Sequence, residues 1–263
     1  MDVQIKKTIK AGNSSAVVLP RAWLNKEVRI ELVKKTPETI LHDVLEILKK
    51  NIDLASVIGV YLVGSYARGE EKENSDIDIL VITNAIDKEM ISEGIYNLLI
   101  ISRELLHQKL NQDLFPIGQM IKEAVPLLNS NYLGSIDIKV TKKNVKWYLD
   151  TTKEKLEIVR KYLDKSKRKN KKYLEDKIAY TLILRIRTLE IIKNLAKNKD
   201  YSNKDFLRLI KRISKSKDGN SVYERYLAVK NNMEEKNGIS IEEADKLYEY
   251  LKKDLIKVKG MLG

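Results

Sequence analysis

The sequence has no cysteine and only two histidines among its 263 residues. Without cysteine the chain can form neither a disulfide nor a zinc-thiolate site. His42 and His107 lie far apart without metal-ligand spacing, so each is interpreted as an ordinary helix residue. The sequence also lacks a run of about 18 apolar residues, which would predict a membrane span, and its first residues lack a signal-peptide pattern. We therefore expect a cytoplasmic protein with no membrane partner.

The first half of the chain carries no net charge. Residues 1–144 hold 19 basic and 19 acidic residues, whereas residues 145–263 hold 31 and 18, so the whole net charge of +13 lies in the second half. Such an excess indicates an anionic partner, with nucleic acid as the first candidate. The alternative is a lysine-rich solvated helical surface, because the basic residues are not clearly interleaved with aromatic residues. Both interpretations stay open.

The stretch from residue 57 to residue 82 reads VIGVYLVGSYARGEEKENSDIDILVI. Its first seven residues are nearly all β-branched or aliphatic, which predicts a strand buried on both faces. Gly64 ends this strand, and a glycine there lets the backbone approach a phosphate closely. Ser65 offers a hydroxyl and a backbone N–H at the start of a helix. The pattern predicts a strand followed by a phosphate-binding turn.

Two aspartates open the second strand of this stretch. The period of two along a strand sends Asp76 and Asp78 to one face and Ile77 and Ile79 to the other. Two carboxylates side by side repel each other unless a cation lies between them, and Mg²⁺ takes one or two carboxylates together with substrate phosphates. The alternative is an ordinary strand whose aspartates face solvent.

Gly64-Ser65, ten residues and then Asp76-x-Asp78, with Ala67-Arg68-Gly69-Glu70 in between, resembles the signature of minimal nucleotidyltransferases of the DNA polymerase β-like superfamily. The resemblance covers about residues 36–140. It implies Mg²⁺-dependent transfer of a nucleoside monophosphate, by default AMP from ATP, to an acceptor hydroxyl with release of pyrophosphate. It also implies roles for individual residues, with the nucleotide bound at Gly64, Ser65 and Arg68, and with catalysis and metal binding at Asp76 and Asp78.

Members of this superfamily usually carry a third carboxylate on a later strand. The next predicted strand, Tyr96 to Ile101, carries Asn97 there and no acid. Two other acids are candidates for the third metal ligand: Glu93, just before that strand, and Asp137, in the strand-like segment Ser135 to Ile138. The third ligand stays open. Its loss would leave nucleotide and metal binding in place and weaken the case for efficient transfer.

The first 35 residues predict a small β module. Three short strands are predicted by the alternation in Val3 to Ile5, the turn pair Gly12-Asn13, the apolar run Ala16 to Leu19 and the segment Val28 to Leu32. Pro20 starts a brief helical or turn step through Trp23-Leu24. The segment resembles AbrB-like swapped-hairpin modules, which implies a homodimer with possible DNA contact. The alternative is a strand extension packed on the catalytic domain. The basic residues that would contact DNA are Lys6, Lys7, Lys10 and Arg21.

The second half of the chain is predicted to be helical, with Asp87 to Glu93 as a further short helix in the first half. The segment from Lys165 to Lys172 has six basic residues in eight and is expected to be a mobile, charged connection. Bundles of the HEPN type, which accompany some of these enzymes, need a histidine in their ribonuclease site. Because no histidine follows His107, we expect no ribonuclease activity. The predicted helices are Val145 to Leu163, Tyr173 to Leu195, Phe206 to Ile213, Val222 to Val229 and one starting after Ser240.

The predicted fold class is α+β. It comprises a small N-terminal β module (residues 1–35), a nucleotidyltransferase core with a mixed sheet (36–143) and an all-helical bundle (144–263). The predicted function is nucleotidyl transfer. One alternative is a dimeric DNA-binding regulator whose nucleotidyltransferase domain binds nucleotide with weak or no turnover. Another is an antitoxin-like enzyme that adds AMP to a partner protein. The acceptor stays open between RNA, protein and a small molecule.

Overall fold

The structure is a computed structural model, and it describes residues 4–6, 8–31, 36–72, 75–215, 221–230 and 238–262. The chain forms two compact units. The first comprises Met1–Gln108 and Met120–Asp137, and the second comprises Lys109–Gln119 and Ile138–Gly263. The three-part division at residues 35 and 143 remains a prediction.

The secondary structure alternates in the first half and is mainly helical in the second. The described strands are β1 (Ile9–Ala11), β2 (Ser14–Ala16), β3 (Val57–Val63), β4 (Ile77–Thr83), β5 (Lys88–Glu93), β6 (Tyr96–Ser102), β7 (Val125–Leu128), β8 (Tyr173–Leu174) and β9 (Ile239–Ser240). The described helices are α1 (Pro37–Lys49), α2 (Gly64–Ala67), α3 (Arg103–Gln112), α4 (Ile117–Glu123), α5 (Ser130–Gly134), α6 (Lys146–Arg168), α7 (Asp176–Ala196), α8 (Asn203–Ser214), α9 (Ser221–Lys230) and α10 (Ile241–Met261).

The first unit is built on a five-stranded sheet with the order β5-β6-β4-β3-β7. The pair β4 and β6 is parallel, and the other neighbours are antiparallel, so the predicted mixed sheet is confirmed. The strands β3, β4 and β6 are buried along most of their length, as their continuous apolar sequences require. The buried face of α1, formed by Ile40, Val44, Ile47 and Leu48, belongs to the same core as these strands.

Thr36 and Pro37 define the start of helix α1. The Thr36 hydroxyl accepts the backbone N–H of Thr39 at 3.3 Å, and the Thr39 hydroxyl accepts the backbone N–H of Thr36 at 3.1 Å. Pro37 occupies the first turn, where its missing N–H has no helical partner to lose. The reciprocal cap therefore fixes the start of the helix that packs under the sheet.

The prediction of a short helix at Asp87 to Glu93 is wrong, because β5 runs antiparallel to β6 along this segment. The two strands are joined at Gly94, whose φ of +64° suits the tight turn. The Asp87 carboxylate accepts the Ser102 hydroxyl at 3.1 Å, and the Ser102 hydroxyl accepts the N–H of Leu105 at 3.1 Å. Ser102 therefore caps the start of α3.

The N-terminal segment forms one hairpin, β1 with β2, around the predicted turn at Gly12. In the described part of the predicted third strand, Val28 to Glu31, no regular strand is formed, and Leu32 and Lys7 lie outside the described residues. Ile5 is only 8% exposed and belongs to the core of the sheet. This contact agrees with the alternative of an extension that packs on the core, whereas the AbrB-like resemblance stays a prediction.

In its described residues the second unit is mainly helical, with one short strand pair, β8 and β9. The predicted helices form, but the helix predicted from Tyr173 begins at Asp176, because Tyr173 and Leu174 pair with β9. The prediction of a mobile connection from Lys165 is wrong at its start, since α6 continues to Arg168. The buried face of α6 continues past Leu163 to Ser166, so the helix runs one turn further than predicted. The Ser240 hydroxyl caps α10 at Glu243. Within the described ranges, no helix is long and apolar enough to cross a bilayer.

Candidate active site

The turn between β3 and α2 lies directly beside the two aspartates of the motif. Val63, the last residue of β3, pairs with Asp78 on β4. Gly64 follows with a φ of +72°, and a Cβ added there would lie 2.5 Å from Oδ2 of Asp78. Glycine is therefore required on two grounds, the left-handed backbone and the close approach of the carboxylate. The sheet brings the two halves of the motif into contact.

The two aspartates face the side of β4 that the alternation predicts. Asp76 precedes the strand and is exposed, and Asp78 is half-buried. The intervening Ile77 and the following Ile79 are buried in the core of the sheet. Because the isoleucines anchor one face, the carboxylates are directed together to the other face.

Asn97 occupies the position on the neighbouring strand where a third carboxylate was expected. On the parallel strand β6, Asn97 is the register partner of Asp78. Its Nδ2 lies 3.5 Å from Oδ1 of Asp78, and its Oδ1 accepts the hydroxyl of Ser92 at 2.8 Å. Asn97 therefore offers an amide to the aspartate pair where an acid would offer a second negative charge.

Neither candidate for the third ligand is brought to the aspartates. Glu93 ends β5 and forms an ion pair with Lys50 at 2.9 Å. Asp137 is exposed and follows α5 in irregular backbone, so the strand predicted at Ser135 to Ile138 is wrong. Among the described residues, no three acidic, histidine or cysteine side chains come together in a way that could hold a metal ion.

Glu123, at the end of α4, is a member of the site that the sequence did not indicate. Its side chain is only 7% exposed. Oε1 accepts the backbone N–H of Gly64 at 2.8 Å, and Oε2 accepts Nη1 of Arg68 at 2.7 Å. One carboxylate thus engages two of the three residues that the motif assigns to phosphate binding.

Arg68 is held between two acids. Its Nε donates to Glu70 at 2.9 Å while Nη1 donates to Glu123. Burial opposes the charge of Arg68, but the hydrogen bonds and ion pairs to Glu70 and Glu123 outweigh it and hold the pKa of the guanidinium above its usual value. Arg68 is therefore a fixed cation at the turn.

Tertiary pairing explains why no local pattern indicated Glu123. β7 pairs antiparallel with β3 on the side away from β4, with Leu62 opposite Val125. This pairing places the end of α4, two residues earlier, next to Gly64. The motif alone spans residues 64–78, so only the arrangement of strands shows that residue 123 completes the site.

The donor set suits a hard divalent cation. Asp76 and Asp78 supply carboxylate oxygens on one face, and the adjacent Gly64 turn leaves room for the Asp78 carboxylate without a side chain in between. Mg²⁺ binds one or two protein carboxylates and completes its shell with phosphates and water. The residues present fit such an ion, with phosphate oxygens as the remaining ligands.

The mixed sheet brings the glycine-serine turn beside Asp78, as the resemblance to nucleotidyltransferases implies. The sequence family described as "Nucleotidyltransferase domain" matches residues 41–217, more than half of the chain. The chain therefore belongs to this family and is a nucleotidyltransferase. The match extends beyond the predicted region of 36–140 into α6, α7 and α8.

Two solved structures match the chain at low identity. A nucleotidyltransferase-like protein from Exiguobacterium sibiricum is 13% identical with a TM-score of 0.41, and the alignment covers 85% of this chain and 77% of that one. A spectinomycin adenyltransferase from Enterococcus faecialis, solved with ATP and spectinomycin, is 15% identical with a TM-score of 0.38, covering 82% and 98%. No curated protein sequence matches the chain significantly. The family assignment therefore rests on the match at residues 41–217.

Proposed function

We propose that the chain is a Mg²⁺-dependent nucleotidyltransferase that moves a nucleoside monophosphate, by default AMP from ATP, to an acceptor hydroxyl with release of pyrophosphate. The observation that carries the proposal is the contact between the Gly64 turn and Asp78, made by the pairing of β3 with β4. It brings a backbone that can approach phosphates next to carboxylates that can hold a metal ion.

Each residue of the motif then has a role. Asp76 and Asp78 hold Mg²⁺, and Gly64 and Ser65 contact the phosphates of the nucleotide. When bound, Mg²⁺ supplies positive charge against the negative charge of the reacting phosphates. Most of the acceleration would come from the fixed position of these groups and from charge stabilisation, because phosphoryl-centre chemistry needs little else from the protein.

Glu123 adds a condition to phosphate binding. In the nucleotide-free chain its carboxylate engages the N–H of Gly64 and the guanidinium of Arg68. A triphosphate that uses these two donors must compete with Glu123 for them. We propose that Arg68 contributes to phosphate binding only after this carboxylate shifts.

The first experiment measures Mg²⁺-dependent release of pyrophosphate and incorporation of labelled nucleotide. We expect both Asp76→Asn and Asp78→Asn to abolish the activity, because each removes a carboxylate from the metal. Asp53→Asn is the matched control, since Asp53 caps a turn at the N–H of Ala55, which asparagine caps as well. Full activity in either motif variant would contradict the proposal.

Asn97 favours a second candidate function. With an amide beside Asp78 instead of a third acid, the chain would bind nucleotide and metal while turning over slowly or not at all. The chain would then act as a dimeric DNA-binding regulator, with Lys6, Lys10 and Arg21, all exposed, as DNA contacts. Salt-sensitive binding of duplex DNA without pyrophosphate release from any triphosphate would favour the regulator over the enzyme.

We further propose that the N-terminal segment pairs two copies of the chain. Large apolar side chains in this segment face solvent within one chain, and a second copy could cover them. Light scattering should show a dimer that Val18→Glu with Leu24→Glu converts to a monomer. Ile256→Glu, at an equally exposed position on α10, is the control. A monomeric wild-type chain would refute the dimer. The exposed apolar residues are Ile9, Val18, Leu24, Val28 and Ile30.

A further inference from the structure

Helix α6 carries aromatic and basic residues along its solvent face. At 100° per residue, Trp147, Ile158 and Tyr162 lie within about 60° of one another around the helix axis. Lys155, Lys161 and Lys165 lie within about 60° of Ile158 on the same face. We call these six residues the α6 stripe. It is about 27 Å long at 1.5 Å per residue.

The α6 stripe is exposed although half of it is apolar. Trp147 is 62% exposed, Tyr162 is 50% exposed and Ile158 is 45% exposed. The opposite face of the helix is buried in the second unit and already supplies its packing. Single exposed apolar residues are common, but three on one stripe between lysines need a reason. The rings of Trp147 and Tyr162 are thus accessible to a partner molecule.

The charge of this region is strongly positive. Residues 146–172 hold eleven basic and four acidic residues. Two of the four acids pair with basic residues outside the stripe, Asp150 with Lys146 at 2.5 Å and Asp164 with Arg160 at 3.2 Å. Glu154 is exposed on the stripe face, within about 40° of Ile158, and interacts electrostatically with Arg185 of α7. Within the described ranges, none of the three stripe lysines forms an ion pair. Their charge is therefore available to an anionic partner.

The basic face continues to the end of the helix. A surface depression of about 320 Å³ is lined by Lys161, Asp164, Lys165, Arg168 and Lys169. Four of these five residues are cations, and the partial negative charge at the C-terminus of α6 stabilises them there. The depression offers space for a phosphate group at one end of the stripe.

Trp147 is held in place from the neighbouring helix. The guanidinium carbon of Arg185, on α7, lies 5.9 Å from the centre of the indole ring. Nη1 of Arg185 donates to the hydroxyl of Thr151, one turn along α6, at 3.0 Å. The indole is thus oriented by a fixed cation while most of its surface stays exposed. A fixed ring loses little conformational freedom when a planar group stacks on it.

We propose that the α6 stripe binds a single strand of nucleic acid, with bases stacked on Trp147 and Tyr162 and phosphates paired with the lysines. Surfaces of this kind combine a basic track with separate aromatic platforms. A membrane would need a continuous apolar face, whereas Trp147 and Ile158 are three turns apart with polar residues between them. The α6 stripe then accounts for part of the excess positive charge in the second half of the chain, with nucleic acid as the proposed partner. The proposal does not depend on nucleotidyl transfer.

The test is binding of a fluorescein-labelled oligodeoxythymidylate to the full chain without nucleotide or Mg²⁺. Trp147→Ala and Tyr162→Ala should each weaken binding about tenfold, at the lower end of the loss known for a stacked base. Tyr162→Phe should bind like the wild type, because it keeps the ring. In a Trp23→Phe chain, Trp147 is the remaining tryptophan, and its fluorescence should be quenched by the oligonucleotide.

Salt dependence tests the lysines separately. Neutralising three phosphates contributes about 2 to the slope of log K against log salt for a single strand. The triple variant Lys155→Gln, Lys161→Gln, Lys165→Gln should lose this part of the slope. The triple variant Lys197→Gln, Lys204→Gln, Lys252→Gln has the same net charge and should keep it, since these exposed lysines lie on or after other helices.

Several outcomes would overturn the proposal. One is the absence of saturable oligonucleotide binding. Another is an equal loss of binding in the two lysine variants, which would indicate net charge alone. Tighter binding of duplex DNA than of the single strand would exclude stacking as the basis. Binding of phosphatidylserine vesicles in place of the oligonucleotide would assign the stripe to a membrane surface.

Discussion

Replacing Asn97 by aspartate tests the arrangement of the site most sharply. The change removes the amide 3.5 Å from Oδ1 of Asp78 and puts a carboxylate in its place. Two like charges about 4 Å apart repel by about 4 kcal/mol at an effective dielectric constant of about 20. Both side chains are half-buried, so solvent screens part of this repulsion. We expect a loss of about 1–2 kcal/mol in the free energy of unfolding without metal, or roughly 2–8 °C in the melting temperature.

Magnesium should reverse this loss, because a cation between the carboxylates converts repulsion into binding. A thermal melt with increasing Mg²⁺ should therefore raise the melting temperature of Asn97→Asp more than that of the wild type. Asn84→Asp adds the same charge at an exposed position and is the control. If the amide limits catalysis, Asn97→Asp should also increase the rate of pyrophosphate release at least about tenfold. An Asn97→Asp chain with an unchanged melting temperature and no added response to Mg²⁺ would refute the placement of residue 97 beside a metal site.

Three further predictions concern single residues. Gly64→Ala and Gly69→Ala both force alanine to a positive φ (+72° and +62°), which should lower the free energy of unfolding by about 1–2 kcal/mol each. Only at Gly64 does the new Cβ collide with Asp78. Only Gly64→Ala should therefore abolish Mg²⁺-dependent transfer. Burial raises the pKa of Tyr61 to about 12. The unfolded chain releases this proton first, so stability should fall as pH rises from about 10 through 12, and less steeply in Tyr61→Phe, as measured by urea denaturation. Glu123→Gln should tighten binding of a non-hydrolysable triphosphate in calorimetry, because it weakens the competition for the guanidinium.

Each of these predictions has a contrary result. Equal activity losses in the two glycine variants would show that backbone strain, and not contact with Asp78, decides the effect. Parallel pH curves for Tyr61→Phe and the wild type would place the alkaline loss of stability at other groups. Weaker triphosphate binding by Glu123→Gln would show that Glu123 supports the turn and does not compete with phosphate.

The core of the site could be predicted from the sequence because its signals are local. The continuous apolar run of Val57 to Val63 and the alternation of Ile77 and Ile79 with the two aspartates each specify a strand and its faces without reference to distant residues. The glycine after the first strand marks the turn. These elements form as predicted, and the pairing of their ends follows once the two strands are neighbours.

Other elements depend on partners that a local pattern does not show. The sequence of β5 has neither a clean alternation nor a long apolar run. It forms a strand because it pairs with the edge of β6 across the Gly94 turn. Glu123 reaches Gly64 only through the pairing of β7 with β3. The end of α6 was missed for a related reason. The residues after Lys165 are mostly charged and carry no apolar periodicity, and the residue buried there, Ser166, is polar.

The central claim is that the aspartate pair holds a metal ion next to a nucleotide bound at the glycine-serine turn. Crystals of the chain with Mn²⁺ and a non-hydrolysable ATP analogue test it directly through anomalous diffraction. We expect an anomalous peak in contact with the carboxylates of Asp76 and Asp78, with the triphosphate against Gly64 and Ser65. A bound analogue with no metal peak at the two aspartates, or with its phosphates away from that turn, would contradict it.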